Sequence, residues 1–176
     1  YRHYAAMLAG KLAQRYKDYD NIVAWHISNE FGGECYCENC EKAFRMWLKQ
    51  RFGTIEELNR VFYTSFWGHT FYDWDEIVLP NLQSEHFSID GMDRTMFQGI
   101  TLEYRRFMSE SMLECFRLEY EQIKKEMPDI PITTNLMGFY KPLDYQKWAK
   151  SMDFISWDAY PAPDDTPAET ALVHDL

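Results

Sequence analysis

Basic residues are scarce in this sequence. Its 18 Lys and Arg stand against 28 Asp and Glu, for a formal net charge of −10 and a pI near 4.9. A phosphate backbone is gripped by clustered cations that release its counterions, so no nucleic-acid partner is expected. Long apolar runs are also missing. No stretch approaches the ~18 residues that suggest a membrane-spanning helix, and no membrane partner is expected either. None of the strand-like segments is followed by a glycine-rich phosphate loop, which weakens a nucleotide-binding reading. Hydrophobic residues make up 46% of the chain, and with a mean hydropathy of −0.50 this excludes disordered and fibrous classes.

Aromatic side chains are what the sequence has in excess. Twelve Tyr, twelve Phe and six Trp make 17% of the residues. Most such rings fill cores, but their faces also stack on flat apolar ligand surfaces such as sugar rings. Aromatic content by itself therefore only hints at a ligand.

The first residue is Tyr1, not Met, and the chain opens inside a helical pattern, with Ala5, Leu8, Leu12 and Tyr16 at three- and four-residue spacing on one apolar face. Thr166, Pro167 and Ala168 read as another helix start close to the last residue, Leu176. The sequence is accordingly expected to be an internal piece of a longer protein, with no targeting segment legible. The segment 21–28 (NIVAWHIS) is almost continuously apolar, as in a parallel strand buried on both faces. A helix is predicted over 41–52, with Phe44, Leu48 and Arg51 on one side and Gly53 as its C-cap. Another follows from Thr54, with Glu57 completing a capping box, and runs to about Val61. Residues 62–95 hold no period, and a long aperiodic segment in a compact domain is more often functional than not. A long helix is predicted over 96–127, stopped by Pro128. A strand over 130–137, a short helix over 143–150 and a strand over 154–157 complete the series.

Strands alternating with helices predict a parallel α/β arrangement, either a doubly wound sheet or part of a barrel. A complete (β/α)8 barrel needs ~250 residues, so a barrel segment is the preferred fold. Active sites of such barrels gather at the carboxyl ends of the strands, here Asn29-Glu30, Asn135 and Asp158/Tyr160. Glu30 is the candidate acid, with burial beside aromatics expected to raise its pKa. The alternative is that Glu30 caps the next segment or pairs with a cation. Cys35, Cys37 and Cys40 place three thiols within six residues just before a helix, a density suited to tetrahedral zinc, with disulfide or redox use as the alternatives. Cys115 lies on an apolar helical stripe and reads as a core cysteine.

The stretch from Trp25 to Gly68, WHISNEFGGECYCENCEKAFRMWLKQRFGTIEELNRVFYTSFWG, resembles glycoside hydrolase family 42, the barrel-type β-galactosidases of glycosidase clan A, as does DFISWDAYP at residues 153–161. The resemblance implies a partial (β/α)8 TIM barrel, roughly the third helix through the sixth strand, with a zinc-binding loop inserted after the fourth strand. The whole of 1–176 would belong to the catalytic domain, with a zinc and aromatic excursion at about 32–95. It implies retaining hydrolysis of terminal β-D-galactosides, with Glu30 as acid/base, Asn29 on the sugar 2-hydroxyl, Trp67 in the sugar pocket and Tyr160 near the site. Cys35, Cys37 and Cys40 match three of the family's four ligands for a structural Zn2+, the fourth lying earlier in the chain. The nucleophile would be a glutamate ending the seventh strand, so the piece is expected to be inactive alone. The family commonly forms homotrimers, and unoxidised thiols point to a reducing, cytoplasmic compartment. Two other classes stay open: an α-L-arabinopyranosidase or other clan A β-glycosidase, and a non-catalytic zinc-stabilised interaction module.

Overall fold

A computed structural model describes residues 1–80, 98–137, 140, 142–158, 160, 162–164 and 166–168. The elements run α1 (Arg2–Tyr16), β1 (Trp25–His26), α2 (Glu38–Phe52), α3 (Ile55–Phe62), two short 3-10 turns at Phe66–Gly68 and Trp74–Glu76, α4 (Gln98–Glu126), β2 (Ile132–Thr133), β3 (Asn135–Met137), α5 (Tyr145–Ala149) and β4 (Ser156–Asp158). The chain is thus mixed α/β, mostly helical, and among the described residues both strand pairs are parallel. It divides into two compact units, one built from 1–33 and 109–176 and the other from 34–108.

The first unit holds the strands. β1 pairs with β2 in the register Trp25 to Ile132, and β3 pairs with β4 in the register Asn135 to Ser156. The segment predicted as one strand over 130–137 is therefore two short strands separated by Thr134, the first half bonded to β1 and the second to β4. The predicted strand over 21–28 shortens to two residues, although the ladder is extended by Ile27, whose N–H donates to the Thr133 carbonyl at 2.9 Å. It is not buried on both faces: Ile27 is buried, but Val23 is 82% exposed and His26 is exposed. In a lone parallel pair only the side chains turned towards the packed helices lose water, which leaves the other face open.

The core of this unit is apolar and aromatic, with Phe31, Leu113, Phe116, Ile123, Ile132, Leu136 and Trp148 all buried. Phe31 is wedged against Phe116 and Trp148, at ring-centre distances of 6.4 and 5.2 Å. Helix α1 corrects its predicted face. Leu8, Leu12 and Tyr16 are exposed, and the buried residues are Ala9 and Ala13. The reason is close helix approach: a Cβ on Gly10 would lie only 3.4 Å from the Cβ of Gln122 on α4. Such spacing favours the small residues of α1 over its leucines, which line an open groove with Trp25 and Ile27. Cys115 is half-buried against the core, its Sγ donating to the Ser111 carbonyl.

The second unit packs α2 and α3 with the first turns of α4. Phe44 and Leu48 are fully buried, as their spacing predicts, with Leu58, Ile77 and Tyr104 around them. Arg51, expected on the same side, turns out to solvent instead and binds the buried Glu103 at 2.9 Å, because a guanidinium cannot leave water without a partner. Gly53 takes φ 77° and caps α2 as expected, its N–H donating to the Lys49 carbonyl. Only half of the predicted capping box forms at α3. The Thr54 hydroxyl accepts from the Glu57 N–H, but the Glu57 carboxylate goes to Arg60. A complete box stands where none was predicted, between Asp73 and Glu76.

Pro167 and Ala168 are helical, as the Thr166-Pro167 signal predicts, and the rest of that helix lies outside the described residues, as do 81–97 of the aperiodic segment. Among the described residues no helix is long and apolar enough to cross a membrane. Because Phe116 is fully buried between Phe31 and Trp148, Phe116→Ala in the full-length protein is expected to lower unfolding free energy by ~3–5 kcal/mol. Denaturant unfolding measures the loss, and a change under ~1 kcal/mol would contradict this packing.

Candidate active site and cysteine cluster

Three strand-end segments meet in the first unit. Beyond β1 the backbone turns sharply, with Ser28 at φ 57° and Glu30 at φ 47°. Positive φ is uncommon for residues with a Cβ and persists only where surroundings enforce it. The enforcement is visible on both sides of Glu30. Its own N–H donates to Asn135 Oδ1 at 2.9 Å. The next side chain, Phe31, is sunk in the core. Gly32 then passes so close to Tyr140 that a Cβ would lie 2.9 Å from its hydroxyl oxygen, and the Gly33 N–H donates to that oxygen at 2.8 Å.

Asn135 joins the segments. It is only 6% exposed and both ends of its amide are used. While Oδ1 receives the Glu30 N–H, Nδ2 reaches both carboxylate oxygens of Asp158, at 3.0 and 2.9 Å. Its backbone N–H donates to His26 Nε2 at 3.2 Å, which brings the β1 histidine to the same place. Glu30 beyond β1, Asn135 at the start of β3 and Asp158 at the end of β4 thus come together.

The two carboxyls of this group are driven apart. Glu30 is raised above the usual carboxylate range, first by a hydrogen bond with the Asp158 carboxyl and only then by lost solvation and by the Asp158 charge. Asp158 is lowered, first by the Asn135 amide, then by the bond with Glu30, with His26 adding to the effect. Each of two neighbouring carboxyls opposes ionisation of the other, which separates the order in which they lose their protons. The expected direction for Glu30 holds, but its expected cause does not. Glu30 is exposed, and the hydrogen bond with the Asp158 carboxyl, ahead of lost solvation, is the largest cause. Asn29 is exposed next to it, and Tyr160, two residues past β4, is 87% exposed.

In the second unit Cys35, Cys37 and Cys40 have their sulfur atoms within 4.8 Å of one another. Cys35 and Cys37 Sγ are 3.5 Å apart, near the ~3.8 Å that two thiolates at 2.3 Å from a tetrahedral zinc would take. All four cysteines are free thiols. Cys37 is the N-cap of α2 and Cys40 sits in its first turn. The Cys40 backbone N–H, followed by the Cys35 thiol, draws Cys37 down to about 7, while burial first pushes Cys40 up to about 12. A thiolate is the species that binds metal, and this donor set can hold one. The Tyr104 hydroxyl donates to the Cys35 carbonyl and fixes the start of the cluster.

The backbone of Trp67 lies in the turn Phe66–Gly68; its side chain is outside what the structure describes. Asn59 staples that turn from both flanks, Oδ1 accepting from the Thr64 hydroxyl and the Phe71 N–H, and Nδ2 donating to the Phe71 carbonyl.

The profile of glycoside hydrolase family 42, described as β-galactosidase, matches residues 1–176. The chain belongs to this family. It is 57% identical over its full length to β-galactosidase BgaP of Planococcus sp. (strain L4), and 48% identical over its full length to β-galactosidase LacZ of Lactobacillus acidophilus. The crystal structure of a β-galactosidase from Bacillus circulans sp. alkalophilus superposes with a TM-score of 0.93 at 63% identity, over 99% of this chain. In each case the chain spans 26% of the relative's length.

For this family-42 chain, sequence reasoning found the strand ends but missed how Asn135, Asp158 and His26 are joined. The signal was present, since Asn135 and Asp158 both stand where strands were predicted to end. Replacing Asn135 by Ala would leave the Glu30 N–H and Asp158 without this partner, and it should destabilise the full-length protein by ~1–3 kcal/mol. Thermal and denaturant unfolding test this; an unchanged midpoint would mean the bonds are not formed in solution.

Proposed function

We propose that the full-length protein is a retaining β-galactosidase in which Glu30 is the acid/base. The single observation that carries this reading is the position of Glu30: it follows β1 in a strained turn, bonded through Asn135 to another strand end, in a chain matched throughout by the family-42 profile. β1 is then the fourth strand of a (β/α)8 barrel, β2 and β3 together the fifth, and β4 the sixth. The second unit is the zinc and aromatic excursion of the same catalytic domain.

In such a mechanism two carboxyls stand ~5–5.5 Å apart across the scissile bond. Glu30 gives its proton to the departing glycosidic oxygen while the other carboxylate, proposed at the end of the seventh strand, attacks the anomeric carbon. Glu30, now a carboxylate, takes a proton from the water that releases the galactose. On this reading Asn29 would hydrogen-bond the 2-hydroxyl, Trp67 would stack on the apolar face of the sugar, and Tyr160 would border the same pocket. Glu30→Gln in the full-length enzyme should lower hydrolysis of phenyl β-galactoside ~10²- to 10⁴-fold. Dinitrophenyl β-galactoside, whose leaving group needs no proton, should recover much of the cleavage step. Equal rates for the variant and the unaltered enzyme would remove Glu30 from this role.

The cysteines are proposed to hold one structural Zn2+, with a fourth ligand from elsewhere in the full-length protein. A closed thiolate shell stabilises the fold around it and offers substrate no coordination site. Cys35, Cys37 and Cys40 would anchor the start of α2. On the same reading the protein is a homotrimer that works in a reducing, cytoplasmic compartment, where neighbouring thiols stay available to metal. Elemental analysis should find one zinc per full-length chain, and Cys37→Ser should lose it together with several degrees of thermal stability. A metal-free protein of unchanged stability would refute the assignment.

A further inference from the structure

Asp158 has no part in the reaction as written above, yet it is the side chain bonded to the Glu30 carboxyl. Its orientation leaves little freedom. Asn135 Nδ2 lies 3.0 and 2.9 Å from its two oxygens, and Asn135 is itself buried and anchored by the Glu30 N–H at its other end. One amide thus fixes the backbone of one carboxyl residue and the side chain of the other. A carboxylate braced in this way can accept the hydrogen of a neighbouring carboxyl group. Among the described residues, the titratable groups acting on this pair are each other and His26, whose Nε2 faces Asn135.

We propose that Asp158 is a positioning residue for Glu30: held by the Asn135 amide, its carboxylate accepts the hydrogen of the Glu30 carboxyl and keeps that acid loaded at the strand ends until substrate arrives. The inference rests on Glu30 being the acid/base. In the first half-reaction the Glu30 O–H bond breaks and an O–H bond forms on the leaving alcohol, whose oxygen takes the electron pair of the C–O bond. Glu30 is then an anion beside the Asp158 anion. Their repulsion makes Glu30 the stronger base for abstracting a proton from water in the second half, after which the loaded pair is restored. Because the two groups share a proton, they titrate as a unit, with Asp158 ionising first and Glu30 last. The directions of their shifts agree with this order, Glu30 up and Asp158 down.

The sign of the effect follows. With Asp158 neutral, the charge that opposes ionisation of Glu30 is gone, so Glu30 loses its proton at lower pH. In the full-length enzyme, Asp158→Asn should move the alkaline limb of kcat/KM for phenyl β-galactoside down by about one pH unit, a tenfold loss at pH values above the limb. With dinitrophenyl β-galactoside the limbs of the variant and the unaltered enzyme should coincide. Asp158→Ser, neutral and smaller, should show the same displacement. A limb that stays in place, or a loss by one factor at every pH, would overturn the proposal and make Asp158 merely structural, as would failure of both variants to fold. Glu30→Gln separates the two levels. If it slows phenyl β-galactoside hydrolysis while the Asp158→Asn limb is unmoved, only Asp158 is misassigned; if Glu30→Gln has no effect, the acid/base reading has failed.

Discussion

The amide of Asn135 is the constraint on which the strand-end geometry depends. It is buried, so each of its polar atoms needs a partner, and a lost partner costs more than a typical hydrogen bond contributes. Its partners are the backbone of Glu30 and the carboxylate of Asp158. The amide therefore couples residues 105 and 23 positions away in the chain. Short strands alone would do this poorly. β1 and β2 are two residues each and offer few ladder bonds to fix the direction in which the following turn leaves. The side-chain bond adds what the ladder lacks, and it holds Glu30 at a φ of 47°, which an L-residue does not adopt freely.

The same bond gives two carboxyls of similar intrinsic acidity opposite tasks. A donor aimed at a carboxylate favours its ionised form, and Asp158 receives such a donor at both oxygens. Glu30 spends its backbone N–H on the amide, leaving its carboxyl to face an anion. The difference arises without a buried cation and without deep burial of either group. That suits the active-site rim proposed for these residues, where substrate must enter and where desolvation before binding is incomplete. It also explains why exposure of Glu30 is compatible with an elevated pKa.

The sequence was most readable where one local rule decides the outcome. Helix α2 with its Phe44/Leu48 face and Gly53 cap, the Thr54 cap of α3, and α4 ending before Pro128 all follow from spacing and termini. It was least readable where a choice depends on what lies opposite. Glu57 could complete a box or pair with Arg60, and the cation one turn away won. The α1 pattern pointed to Leu8 and Leu12, but the approach of α4 selects Ala9, Gly10 and Ala13. The break at Thr134 has no local signal, because a strand's partner is set by tertiary position. Family likeness named Glu30, Asn29, Trp67 and Tyr160 as a set. The coordinates place Glu30 within a bonded group, leave Asn29 and Tyr160 exposed, and fix the turn that carries Trp67 through Asn59.

The cysteine cluster follows Glu30 by only a few residues in sequence, yet the two features are secured separately. Between the two features the chain is secured at Phe31 by core packing and at Gly33 by the Tyr140 hydroxyl, so the turn that presents Glu30 is complete before Cys35 is reached. The cluster has its own local supports, the α2 N-terminus and the Tyr104 hydroxyl. Each feature thus rests on contacts internal to its own unit. If the cluster holds the proposed metal, its loss should be felt in the 34–108 unit, whereas the first cause of the Glu30 shift is the bond with Asp158.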